Sequence, residues 1–165
     1  MKRQAKRLCE TALLAAVGLG IFVLEAQLPP LTAVPGIKPG LANCVTLAAL
    51  YLLGCREAAG VLAVRILLGA VYTGSPVSLL YSAAGGLACY LVMAPLSRVF
   101  PARQLWIVSV FGALAHNAGQ LAAAAVLLGG GAVLAYAPAL ILGALAAGTF
   151  TGLASQAAVR RIRKE

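Results

Sequence analysis

The chain has 165 residues, 62% of them hydrophobic and only 10% charged, with a mean hydropathy of +0.96. So little polar surface cannot wrap so large an apolar content, which excludes a soluble domain and predicts an all-α integral membrane protein. The net charge of +9 does not point to nucleic acid, because most of the 13 Lys and Arg stand in short segments between or beyond the apolar runs, where membrane orientation accounts for them.

Lys2, Arg3, Lys6 and Arg7 ahead of an apolar run imitate a signal peptide. That run lasts about 20 residues, meets Pro29 and Pro30 and shows no small-residue cleavage site, so it is read as a retained first helix over 8–28. Ala12, Ala16 and Gly20 recur on it every four residues, a smooth stripe for the close approach of another helix, from this chain or from a partner. A loop from Pro29 to Pro39 leads to a second helix over 40–54. At about 1.5 Å per residue it reaches roughly 22 Å, short of a bilayer core of about 30 Å. A short, broken hydrophobic segment with Lys38 and Asn43 at its mouth is where a membrane protein holds something polar.

Gly54-Cys55-Arg56-Glu57 predicts a polar turn, and a third helix over 58–73 carries Arg65 near its middle and Tyr72 near its end. A charge at that depth is costly unless paired, hydrated or snorkelling. Thr73-Gly74-Ser75-Pro76 turns the chain into a fourth helix over 77–96. The fifth, over 104–128, holds His116, Asn117 and Gln120, with 116 and 120 one turn apart on one face. Gly129-Gly130-Gly131 precedes a sixth over 132–159, whose first turns Pro138 is expected to bend. Ala144, Gly148 and Gly152 form its small-residue stripe, and Arg160-Arg161-Ile162-Arg163-Lys164 ends it.

Six spans with both termini inside place eleven of the 13 basic residues on the cytoplasmic side, Lys38 alone outside and Arg65 within a span. That asymmetry predicts a single six-helix transmembrane domain over residues 1–165, multi-pass in the bacterial plasma membrane. The topology brings Glu25, Lys38, Asn43 and Tyr72 to the outer side and Arg65, His116, Asn117 and Gln120 towards the midplane, where all could line one cavity. Such a set suits an anionic or carbonyl-rich small molecule. Each residue also has a plain structural reading. Arg65 can pair with Glu25, the cluster on the fifth helix can be interhelical hydrogen-bond glue, and Lys38 can be an interfacial anchor.

Enzymatic chemistry has little support. The acidic residues are Glu10, Glu25, Glu57 and Glu165 with no Asp, so no aspartate-rich motif can hold magnesium on a diphosphate. Cys9, Cys44, Cys55 and Cys89 form no CxxC pair, one histidine gives no metal motif, and no phosphate-binding loop is present, so neither metal nor cofactor is expected.

Gly36-Ile37-Lys38-Pro39-Gly40-Leu41-Ala42-Asn43, Val45-Thr46-Leu47, Arg56-Glu57-Ala58, Arg65-Ile66-Leu67-Leu68-Gly69, Ala84-Gly85-Gly86 and Ala115-His116-Asn117-Ala118-Gly119-Gln120 stand in order along nearly the whole chain. Together they resemble the bacterial family known both as heptaprenyl diphosphate synthase component I and as the Gx transporter family. Pro39 departs from the small or apolar residue expected there. The resemblance implies a fold similar to the substrate-binding S components of energy-coupling-factor transporters, with six helices and a ligand cavity on the outer side. It also implies that Ala12, Ala16 and Gly20 dock a transmembrane coupling subunit driven by ATPases. Two functions follow as expectations. One is a substrate-binding or transport subunit for a vitamin-like compound or an isoprenoid or quinone precursor; the other is a noncatalytic membrane partner of a soluble polyprenyl synthase.

Overall fold

What organises the molecule is α2, a helix of ten residues, Asn43–Leu52, with eight of them buried. In the computed structural model, which describes residues 2–27, 38 and 40–163, this helix touches all five others. A helix that is apolar on every side has no face for solvent and is stable only inside a bundle.

The other helices are α1 (Lys2–Ala26), α3 (Cys55–Thr73), α4 (Pro76–Val99), α5 (Leu105–Leu128) and α6 (Ala137–Arg163), with 3-10 turns at Ala102–Gln104 and Gly131–Tyr136. Among the described residues there is no strand. Packing runs α1 on α3, α3 on α4, α4 on α5 and α5 on α6, with α2 in the middle. Four helices, α1, α4, α5 and α6, are long and apolar enough to cross a membrane. The third is 19 residues long but carries Arg56, Glu57 and Arg65. Outward faces are apolar all round, for example Leu24 on α1, Val71 on α3, Leu91 on α4, Val126 on α5 and Phe150 on α6, as expected of surfaces that meet lipid.

Helix bounds differ from expectation where local chemistry decides. The second helix begins at Asn43, not residue 40, because Asn43, Cys44 and Val45 first donate to the carbonyls three residues back, in a tight turn led by Gly40 at φ +76°. Arg56 and Glu57 are not a turn; they lie in the first turn of α3, which starts after Gly54 at φ +106°. Pro138 bends nothing. It is the second residue of α6, where a missing N–H leaves no intrahelical bond unmade. The expected Pro29–Pro39 loop lies outside the described residues except for Lys38, and so do Gly36, Ile37, Pro39 and Lys164.

Small residues set the closest approaches. A Cβ on Gly119 would fall 2.5 Å from the Ala84 carbonyl oxygen, and one on Gly148 would fall 2.9 Å from Val110 Cα, so α5 meets α4 and α6 nearly backbone to backbone. Ser155 Oγ donates to the Cys44 carbonyl at 3.1 Å and fixes α6 on α2. The stripe on α1 behaves differently. Ala12, Ala16 and Gly20 are exposed, and nothing lies within 4 Å of a Cβ placed on Gly20. The face of α1 that packs inward is the one with Ala15, Gly18, Phe22 and Glu25.

Candidate functional site

At the carboxyl end of α1, five structural elements converge on one buried polar cluster. Glu25 reaches across to the start of α2, where Oε1 accepts from the Gly40 and Leu41 amides (3.2 Å for Leu41) and Oε2 from Ala42 at 3.5 Å. These amides precede the first turn and have no intrahelical partner, so a carboxylate from another helix caps α2 and meets the positive end of its dipole. Lys38 donates its backbone N–H to Gln120 Oε1 at 3.3 Å and sets its ammonium 4.0 Å from the centroid of the Phe22 ring. Burial lowers the Lys38 pKa from its ordinary value, the Glu25 charge works against that shift and Arg65 adds to it.

Arg65 Nη2 donates to Asn43 Oδ1 at 2.9 Å, and Asn43 Nδ2 lies 3.0 Å from His116 Nδ1. Because the amide NH₂ can only donate, Nδ1 is the acceptor, and in the neutral imidazole the proton then sits on Nε2. Two donors are left over. Arg65 Nε and His116 Nε2 are both buried, and neither has a hydrogen-bond partner within the described protein. Both side chains are 3% exposed and line one small cavity together with Glu25, Lys38, Gly40 and Gln120. Its volume is about 10 Å³, room for roughly one water.

Glycines hold this geometry. The His116 ring is gripped between Gly40 and Gly85, since a Cβ on either would fall 2.6 or 2.7 Å from it. Gly86 makes room for Arg65, whose Nη2 would be 3.4 Å from an added Cβ. Gly40→Ala is therefore expected to displace His116 and to add the left-handed backbone penalty of about 1–2 kcal/mol. A fall in the thermal midpoint in detergent checks it; an unchanged midpoint would show that the ring has room.

Of the residues singled out from sequence, the structure brings together Glu25, Lys38, Asn43, Arg65, His116 and Gln120. Asn117 does not join them. It faces α6, where its Nδ2 donates to the Leu140 carbonyl at 2.8 Å, so it is a tie between helices. Tyr72 is 55% exposed on the outer side of α3 and stays apart from the cluster. The direct pairing of Arg65 with Glu25 is also not made: among the described residues the ion pairs are Lys6–Glu10 at 3.8 Å and Arg7–Glu57 at 3.1 Å. Phe22 and Ser82, which border the cavity, were not legible as site residues. The spacing of Phe22 and Glu25, three apart on one helix face, was the available signal for the first.

Apart from Glu25, the glycines and polar residues that meet here are those of the motifs read in sequence, and residues 14–158 match the family model described as heptaprenyl diphosphate synthase component I. The chain belongs to that family. No curated protein and no solved structure matches it. Component I is the noncatalytic, accessory part of the synthase, which implies a soluble synthase component as its partner. Among the described residues, no three His, Cys, Asp or Glu side chains gather as a metal site would need.

Proposed function

We propose that this family member is the membrane-embedded binding subunit for a small, acceptor-rich organic molecule, an anion or a carbonyl compound such as a vitamin-like compound or an isoprenoid or quinone precursor. The observation that carries the proposal is the pair of buried donors, Arg65 Nε and His116 Nε2, that have no hydrogen-bond partner among the described residues and lie beside one shared cavity. A buried donor left unmade costs about 1–3 kcal/mol, more when charged, so such a pair is retained where a ligand supplies the acceptor. Among the described residues, Lys38 and Arg65 face one carboxylate, Glu25, whose oxygens already serve the α2 amides, and the excess of positive charge favours an anion. Asn43 and Gln120 orient these groups.

In this reading the six helices cross a bacterial plasma membrane with both termini cytoplasmic, α2 and α3 spanning as a buried, partly polar pair. The exposed Ala12, Ala16 and Gly20 stripe on α1 is the face for a transmembrane coupling subunit with its ATPases, as in energy-coupling-factor transporters. The family description favours a second reading, an accessory subunit that holds a soluble synthase at the membrane. Purification from membranes separates the two. A retained small molecule in native mass spectra, with an ATPase pair that co-purifies and is lost on Ala16→Leu, supports transport. Co-purification of a soluble synthase whose product chain length changes when this subunit is left out supports the accessory role. An empty protein whose partners are indifferent to Ala16→Leu would sink the transport reading.

A further inference from the structure

The charges and donors of the Glu25 cluster also decide which anionic head group it can take. Among the described residues, Lys38 and Arg65 bring two positive charges to the cavity, and Glu25, whose oxygens accept from three amides, brings one negative charge. A monoanion neutralises what is left. A diphosphate overshoots it and leaves excess charge buried among apolar helices, where an uncompensated ion is costly.

The donors agree with this balance. Phosphate is commonly held by the free amides at a helix amino terminus, and such amides stand at Gly40, Leu41 and Ala42, ahead of the ten residues of α2. Here they are taken, because Glu25 accepts from all three. The chain's own carboxylate fills the position that a phosphate would need. The other common phosphate ligand is the guanidinium edge formed by Nε and Nη2, which bonds two oxygens in parallel. In Arg65 the Nη2 of that edge already donates to Asn43 Oδ1 at 2.9 Å. Among the described residues, the buried N–H groups still without a partner are Arg65 Nε and His116 Nε2. Asn43 holds the two side chains in register, since its Nδ2 also lies 3.0 Å from His116 Nδ1. Both line a cavity of about 10 Å³, which has room for about one oxygen atom. Beside them Phe22, whose ring would meet a Cβ on Gly69 at 2.8 Å, is fixed against α3 as an apolar wall.

We infer that this site selects a monocarboxylate: one carboxylate oxygen enters the cavity and accepts from Arg65 Nε and His116 Nε2, while Glu25 turns phosphate and diphosphate groups away. The selection rests on the binding role proposed above and narrows its ligand to an ionised carboxylic acid. It also separates the ligand of this chain from the diphosphate in the family description.

The test uses the full chain in detergent and matched probes that share a ring and differ in the head group: benzoate, benzamide and phenyl phosphate. Dissociation constants are read from the rise of the thermal midpoint with probe concentration. Benzoate is expected to bind about tenfold more tightly than either of the others, or better. Glu25→Gln removes the negative charge and weakens the cap on the α2 amides, so the affinity for phenyl phosphate relative to benzoate is expected to rise about tenfold. Because that ratio is taken on one preparation, a loss of stability does not mimic the result; where the variant binds neither probe, the wild-type order decides. Tyr72→Phe, outside the cluster, is expected to leave the ratio unchanged. Phenyl phosphate or benzamide binding as tightly as benzoate, or a ratio that Glu25→Gln does not move, overturns the carboxylate selection and leaves the binding role standing. If no probe binds, the molecule retained in native mass spectra decides: a carboxylic acid upholds the selection, and a phosphate or an uncharged carbonyl compound overturns it. An empty protein that also ignores every probe takes down the binding role as well.

Discussion

Replacing Arg65 by methionine is expected to abolish ligand retention while leaving the protein as stable as before, or more so. Two effects oppose each other. Asn43 Oδ1 loses its 2.9 Å partner and stays buried, a cost of about 1–3 kcal/mol. Against this, the substitution removes a buried charge whose Nε–H has no partner among the described residues, and the desolvation penalty of such an ion is several kcal/mol. The second effect is the larger, and methionine fills the space left between Gly18 and Gly86 without a polar atom. Ligand affinity, by contrast, loses charge-assisted hydrogen bonds of about 1.5–3 kcal/mol each, a factor of ten or more. Native mass spectra and thermal midpoints measured on one preparation check both halves. A variant that unfolds more easily yet keeps its ligand would make Arg65 a strut and remove it from the site.

Gly152→Val is expected to damage the bundle severely. An added Cβ falls 2.7 Å from both Trp106 Cα and Ser109 Cβ and 3.1 Å from the Trp106 carbonyl oxygen. Backbone cannot swing aside as a side-chain tip can, so α6 must leave α5. That movement stretches the Ser109–Thr151 hydroxyl contact at 3.2 Å and the Ser155 bond to Cys44. Overpacking of this kind costs about 1–3 kcal/mol or more. In a chain of this size that lowers the thermal midpoint by about 3–10 °C. Gly143→Val on the same helix is the control, because nothing lies within 4 Å of a Cβ there, and its midpoint is expected to hold or rise slightly. Equal shifts in the two variants would mean that helix propensity, and not the α5–α6 approach, sets the loss.

What could be read directly from the sequence follows from quantities that add along the chain. Mean hydropathy and the scarcity of charge select a membrane-type helical protein, and Gly54, Gly74, Pro76, Pro101 and Gly129 mark breaks between helices wherever the tertiary fold lies. The ordered motifs carried the family. The convergence of Lys38, Asn43, Arg65, His116 and Gln120 was also foreseeable, because polar side chains in an apolar bundle gain only by meeting each other.

Which face meets which neighbour was settled by the tertiary structure. In lipid, an apolar face is equally acceptable inside or outside the bundle, so hydrophobic pattern loses the power it has in water. The stripe Ala12, Ala16, Gly20 and the stripe Ala144, Gly148, Gly152 look alike in sequence, yet the second packs on α5 and the first faces outward. His116 and Asn117 are neighbours in the chain, but a helical turn of about 100° per residue sends one to the cavity and the other to α6. Glu25 could not be recognised as the cap of α2 because the amides it satisfies belong to residues 40–42, and only the packing of α1 beside α2 brings them within reach. Periodicity determines which residues share a face. The choice of neighbour rests on the fit of backbones and on the pairing of a few buried polar atoms.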